Sequence, residues 1–370
     1  MPTPLTITAA ARDLRSGRTT SIALVEASLD RIARHQPATN AFIHVSADEA
    51  RQAAHEADRE RARGLDRGVL HGLPISLKDL IDVAGQPLRE GDRVAFFDVH
   101  RTCGRCLACT VHKTPTRCPS RRVYGITDSL ADGLFGGWAE SVYLEPGVTV
   151  AALPDRVSFE SYIGGGCGLL TSVHIIERAR ISLGDAVVVQ GAGAVGLSTA
   201  ALARRAGAGL VVVIGAPPDR LALARQMGAD VVIDLDRTTV EERIEQVRAL
   251  TGGQGADVVV EAAGSPRAFE EGVRLARNGG AYVIAGHYTN TGDSTINVHE
   301  QINRTHLDIR GCWGSEVGHF LRALRALERY SHEVPWHLIG AETFGLRQIN
   351  DALDAAAALR IPKALVDPRR

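Results

Sequence analysis

One short stretch, GAGAVG at Gly191 to Gly196, restricts what this chain can fold into more than any other. An apolar run, Ala186–Gln190, leads straight into it, and the helix-forming stretch LSTAALARRAG leads out. Gly191 permits the tight turn, Gly193 lets backbone approach a pyrophosphate, and Gly196 lets the helix pack against the strand it has just left. The helix N-terminus then presents free N–H groups to phosphate oxygens. The pattern recurs: Leu210–Ile214, Val231–Ile233, Val258–Val260 and Ala281–Ala285 are apolar runs bounded by glycine or charge, with helical stretches between them. Alternation of this kind predicts an α/β domain with a parallel sheet covered on both faces.

Cofactor choice turns on the end of the second strand, VVVIGAPPDRLALA. An acidic residue there grips the ribose hydroxyls of NAD. Gly215 holds that place, which removes the carboxylate that would repel a 2′-phosphate, and Arg220 supplies a charge that would attract one. NADP is therefore expected ahead of NAD. The competing reading makes Arg220 a solvated residue at a helix start, with Asp219 as the cap.

Cys103, Cys106, Cys109 and Cys118 follow the spacing C-x2-C-x2-C-x8-C. Four thiolates close a tetrahedron round zinc at ~2.3 Å per bond and leave no open position, which makes a structural rather than a catalytic site. Four buried free thiols would be the alternative, and the polar neighbours His112, Lys113 and Arg117 argue against it. Cys167, in YIGGGCGLLTSVH, and Cys312, in RGCWGS, have no such partners and taken alone read as small core residues.

At 370 residues and 45% apolar content the chain is long enough for two domains or more. A net charge of −1 gives no reason to expect nucleic acid or an anionic membrane as partner. No apolar run approaches the ~20 residues of a membrane span. The start, MPTPLTITAAARDLRSG, lacks the features of a signal peptide, so a cytoplasmic location is expected. Clustered cysteines in a reducing compartment favour metal over disulfides.

Residues 1–64 read as helices. Thr20 and Ser21 can cap one whose apolar positions Ile22, Val25, Leu29 and Ile32 step by three and four. Ser46 and Glu49 have capping-box spacing before an alanine-rich helix that runs to about Ala62 and stops at Gly64. A short strand is expected at Ile75–Leu77. Residues 90–150 change character, with strand-like runs at Val94–Phe97 and Ala139–Leu144 around the cysteine cluster.

From about Gly91 onward these features resemble the zinc-dependent alcohol dehydrogenases of the medium-chain dehydrogenase/reductase family. GDRVAFFDVHRTCGRCLACTVHKTPTRC resembles that family's zinc lobe, with one extra residue before the last cysteine, and GGWAESVYLEPG its returning strand. The resemblance implies that Cys167 stands at the third ligand of a catalytic zinc, and that Lys363, in RIPKALVDP, meets the cofactor pyrophosphate. It also implies hydride transfer between NAD(P) and a small alcohol or carbonyl, and a homodimer. The family's other catalytic-zinc ligands belong to a stretch before the lobe, and residues 1–90 contain no cysteine and no Gly-His-Glu. That region instead resembles the amidase signature family: GVLHGLPISLKDLIDVAG would place Lys78 as the lysine of a Ser–Ser–Lys triad whose serines do not follow. GQPLREGDRV satisfies both patterns and reads as a splice.

The expected architecture is therefore α/β: a Rossmann-type sheet over 166–315, an incomplete GroES-like β domain with its zinc lobe over 89–165, a C-terminal return over 316–370, and an amidase-like helical appendage over 1–88. The expected function is a zinc-binding dehydrogenase with impaired turnover. A non-catalytic chimera that binds zinc and nucleotide is the alternative, and an amidase remnant a more remote one.

Overall fold

The structure, a computed structural model, describes residues 6–39, 45–68, 70–74, 82–83, 86–89, 91–129, 131–133, 135–340 and 342–370. It divides into two compact units, Met1–Leu80 and Ile81–Arg370.

The first unit carries helices Ile7–Arg15, Ser21–Thr39 and Ala47–Ala62. Thr6 caps the first through a hydrogen bond from the Ala9 amide. Thr20 accepts from the Ala23 amide at 3.2 Å, as its position predicts. The same helix start is also held from the third helix, because Asp58 accepts from the Ser21 and Ile22 amides at 2.7 and 3.1 Å. A carboxylate there satisfies orphan donors and complements the helix dipole. The expected capping box at Ser46 does not form. Its ψ of 67° takes the residue out of extended cap geometry, and its hydroxyl makes no capping hydrogen bond. Gly64 ends the run at φ +83°. The strand expected at Ile75–Leu77 lies outside the described residues, and so does Lys78.

The second unit is built on a six-stranded parallel sheet, in the order Asp308–Gly311, Ala276–Ile284, Ala256–Glu261, Ala186–Gln190, Leu210–Gly215, Val231–Asp234. The central strands are buried on both faces, and that is why they read as unbroken apolar runs. One face packs Val187, Val189, Val211 and Val213 against Leu169, Leu197 and Phe320. The other packs Val188, Val212 and Val259 against Ile244, Val247 and Val273. The sixth strand, Asp308–Gly311, was not among the runs expected. It is an edge strand with charged residues at Asp308 and Arg310, so no apolar run marks it.

Less sheet forms before residue 155. Val94–Phe96 pairs antiparallel with Val150–Ala152, and Val99–Arg101 with Arg122–Val123. Ala139–Leu144, expected as a strand, is irregular, and Tyr143 is 68% exposed. An alternating pattern makes a strand only where a neighbour takes its N–H and C=O groups. No described helix is long and apolar enough to cross a membrane.

Helix Phe159–Ala179 crosses one sheet face and meets helix Val317–Tyr330. The two are joined by a stacked pair, His174 and His319, with ring centroids 4.5 Å apart. His319 Nδ1 accepts from the Glu316 amide at 2.9 Å, which requires the neutral ring. Burial first, and His174 second, push its pKa down to about 4, with Glu177 pulling the other way and Arg322 reinforcing the fall. Between that value and the unfolded value near ~6.5 the unfolded chain binds the extra proton. Stability is therefore expected to fall as pH drops from 6.5 toward 4. The His319→Gln variant should lose on the order of 2 kcal/mol less than the parent across that window in denaturant titrations. Parallel pH curves for the two proteins would refute this.

Candidate functional site

The Ala186–Gln190 strand ends in the glycine turn, and the Ala194–Ala206 helix begins at once after it. Gly191 has φ +113°, and a side-chain carbon there would lie 2.7 Å from the Ala262 carbonyl oxygen. A side-chain carbon on Gly196 would collide with the Gly191 carbonyl. Gly193 is different, because the space beside it is open and no side chain caps the helix that starts there. Its backbone is thus free to meet a ligand, and uncapped N–H groups at a helix start favour phosphate. One strand over, the Glu261 carboxylate is fully buried and accepts from the amides of Ala263, Gly264 and Gly286. It fixes two loops at the carboxyl edge of the sheet, the edge where ligands bind in such folds. The residues fit a dinucleotide.

Gly215 closes the second strand, and a side-chain carbon there would sit 2.8 Å from Ala192 Cβ and 3.0 Å from the Ala192 amide. The glycine therefore has a packing reason besides any cofactor reason. Arg220 is not a solvated helix-start residue. Its Nη2 donates to the carbonyls of Ile361 at 2.9 Å and Leu359 at 3.4 Å, and burial lowers its pKa. It ties the C-terminal segment to the cofactor domain.

Cys167 lies on the Phe159–Ala179 helix just past a break at Gly166, which takes φ +41° and ψ −138°. Lys363 Nζ occupies the space that a side chain at 166 would fill. Burial lowers the Lys363 pKa, and the Cys167 thiol works against that. Although Cys167 presents surface to solvent, the protein packed round its thiol raises its pKa, as does Asp98, while Lys363 opposes. The Thr171 hydroxyl is 4.0 Å from the thiol. Among the described residues no group of three metal-binding side chains includes Cys167. A catalytic zinc needs three protein ligands and an open position, and the side chain that meets this single thiol is a lysine, not a second cysteine or a histidine. The residues present do not fit a catalytic zinc.

The four lobe cysteines do come together, with ligand atoms all within 4.8 Å of one another. A tetrahedron with ~2.3 Å metal–sulfur bonds needs sulfurs about 3.8 Å apart, and Cys106 and Cys109 stand at 3.6 Å. The Cys103 thiol receives the Cys106 amide at 3.3 Å, and the Cys118 thiol the Cys103 amide at 3.2 Å. Amides of Arg105 and Cys106 pull the Cys103 pKa down to about 6, whereas burial pushes Cys109 up to about 11. The eight residues before Cys118 include a 3₁₀ turn, Pro115–Arg117, that brings its sulfur back to the cluster. These residues fit a closed structural zinc.

Sequence reasoning passed over Arg121, Trp313 and Asp98. Arg117 and Arg121 lie over the Trp313 ring at 5.2 and 5.3 Å, joining the lobe to the cofactor domain. Burial raises the Asp98 pKa. No local spacing signals such contacts, because the partners lie far apart in the chain.

A six-stranded parallel sheet with a glycine turn at its carboxyl edge and a four-cysteine lobe are features that fit a zinc-binding dehydrogenase. Comparison with known proteins agrees. Residues 194–329 match the zinc-binding dehydrogenase family and residues 23–95 the amidase family. The chain is 33% identical over 288 residues to 5-exo-hydroxycamphor dehydrogenase of Pseudomonas putida, covering 77% of this chain and 78% of that one. It is 38% identical over 206 residues to a probable alcohol dehydrogenase of Mycobacterium tuberculosis, of which it spans 54%, about half. An alcohol dehydrogenase structure from Thermotoga maritima superposes with a TM-score of 0.73 at 32% identity, covering 77% of this chain and 78% of that one. The chain belongs to the medium-chain zinc-type alcohol dehydrogenase family.

Proposed function

We propose that this protein binds one structural zinc through Cys103, Cys106, Cys109 and Cys118 and a nicotinamide dinucleotide at Gly191–Gly196, with Lys363 near the pyrophosphate, and that its alcohol oxidation is impaired. The observation that carries the reading is the contrast between the two metal positions: a complete four-thiol cluster in the lobe, and a lone thiol facing a lysine at Cys167. In its family the bound cofactor takes up a hydride from an alcohol. Here the chain's own residues supply the cradle for that cofactor and no metal to polarise the alcohol oxygen. An amidase-like segment to about residue 88 joined to an incomplete β domain over 89–165, ahead of a cofactor domain over 166–315 and a return over 316–370, accounts for the absence of cysteine before residue 91.

The preference for NADP rests on Gly215, since Arg220 is engaged by Leu359 and Ile361. It is therefore expected to be small, with NADPH tighter than NADH by less than about tenfold. Equal affinities would remove the preference and leave the site standing.

Metal analysis of purified protein should give one zinc per chain, and a broad panel of primary and secondary alcohols should yield no zinc-dependent NAD(P)H. Two zincs per chain, with turnover that vanishes in Cys167→Ala, would overturn the reading and restore a working dehydrogenase.

A further inference from the structure

A cavity of about 350 Å³ opens between the end of the zinc lobe and the first turn of the Val317–Tyr330 helix. It is within the size range of small-ligand sites. Arg101, Thr102, Arg121, Thr149, Ser315 and Glu316 contribute to its wall. Arg121 decides what the cavity can hold. Its guanidinium is pinned over Trp313, which in turn stacks on Tyr288 with ring centroids 5.3 Å apart and donates from Nε1 to the Tyr288 carbonyl at 3.1 Å. The guanidinium is thereby held against the ring, yet its donors are not used. Among the described residues Arg121 makes no ion pair, and its Nε is buried without an acceptor. The Ser315 hydroxyl is buried without a partner as well.

The two carboxylates in the neighbourhood do not serve Arg121. Asp98 feels its charge but forms no ion pair with it. Glu316 stands at the start of its own helix and accepts from Thr116 Oγ1 at 3.4 Å. Room beside the fork is kept by Gly314, at φ +74°: a side-chain carbon there would lie 3.8 Å from Arg121 Nη2 and 3.2 Å from Thr116 Cγ2. The Gly314 carbonyl is held by His174 Nδ1 at 2.8 Å, so this turn is fixed from below. Phe97 and Val99 supply an apolar wall.

We propose that the cavity is a binding site for a small organic carboxylate, its two oxygens taken by the Arg121 fork and its apolar body resting on Phe97 and Val99. A planar, preorganised guanidinium matches a carboxylate bidentately. Arg101 adds positive charge, and the hydroxyls of Thr102 and Thr149 offer further donors. The glycine turn contributes nothing to the cavity wall, and the proposal stands or falls independently of any dehydrogenase activity.

The probe is sodium benzoate, titrated calorimetrically into the zinc-loaded full chain in a buffer without other carboxylates, with inorganic phosphate as a parallel arm. Benzoate should bind once per chain. Binding should weaken at least tenfold in Arg121→Gln, weaken less in Arg121→Lys, and persist in Lys363→Gln, a change outside the cavity wall at the side chain beside Cys167. Glu316→Gln keeps an oxygen to accept from Thr116 while removing the one negative charge in the wall, so it should tighten benzoate several-fold, a sign that a merely structural Arg121 does not produce. If Arg121→Gln fails to fold, as read by circular dichroism, the Arg121→Lys and Glu316→Gln pair decides the matter. No saturable binding, undiminished binding in the Arg121 variants, or unchanged binding in Glu316→Gln would overturn the site. Phosphate binding as tightly as benzoate would overturn the assignment to an organic carboxylate.

Discussion

Stripping zinc with a strong chelator should turn a protein whose one exposed thiol is Cys167, held above its ordinary pKa and slow to react, into one in which the four lobe thiols react as well. All six cysteines are unpaired, Cys167 is exposed and Cys312 is buried. The lobe has little else to hold it closed. Between Cys103 and Cys118 only Thr116 and Cys118 are buried, while Leu107 and Val111 are 66% and 63% exposed. A segment with so small a core cannot meet its ordering entropy by burial. Structural zinc supplies ~10–16 kcal/mol of apparent binding free energy, as much as the whole stability of many domains. Without it the Cys103 and Cys109 thiols, one favouring the thiolate and the other the thiol, have only weak sulfur hydrogen bonds between them. The parallel sheet keeps its own core, so far-UV circular dichroism should change little while thiol titration with a disulfide reagent rises sharply. A thiol count that stays the same after chelation would sink the metal assignment.

The cofactor sheet was legible because its physics is local. Strands buried on both faces must be apolar throughout, and glycines at a tight turn have no substitute. Reading failed where structure depends on distant partners. Asp308–Gly311 pairs on one side only and carries charge. Ala139–Leu144 has the alternation of a strand and lacks the neighbour. Ser46 and Glu49 have the spacing of a cap, but the backbone at Ser46 turns away. The same division runs through the site. The glycine turn and the four cysteines are contiguous motifs. Arg220 meets carbonyls 139 and 141 residues away, and its role as a tie could not be told from that of a phosphate ligand until those carbonyls were located. The neighbours of Cys167 decide whether it can hold a metal, and Asp98, Arg121 and Lys363 come to it from separate parts of the chain.

Replacing Glu271 with alanine should destabilise the second unit by about 3–5 kcal/mol. Glu271 sits on helix Pro266–Leu275 and Arg243 on helix Val240–Leu250, and both helices pack on the same sheet face. The pair is bidentate, with Nε to Oε1 at 2.7 Å and Nη2 to Oε2 at 3.1 Å, and each side chain is only 6% exposed. Arg243 Nη1 also donates to the Thr238 and Leu235 carbonyls. With the carboxylate gone, those neutral carbonyls remain but the guanidinium charge has no counter-ion and little water. That uncompensated charge, more than the loss of an attraction, sets the size of the effect. Replacing both partners by apolar side chains of similar volume, Arg243→Met together with Glu271→Leu, removes the charge as well as the bond and should recover most of the loss. Trp138, Trp313 and Trp336 all lie in this unit, so tryptophan fluorescence in urea reports its unfolding. The double variant separates two accounts. If it is as unstable as Glu271→Ala, the pair is held for its attraction. If it is near the parent, the cost in Glu271→Ala comes from a stranded charge. A single Glu271→Ala change that costs less than about 1 kcal/mol would mean that water reaches Arg243, contrary to its burial.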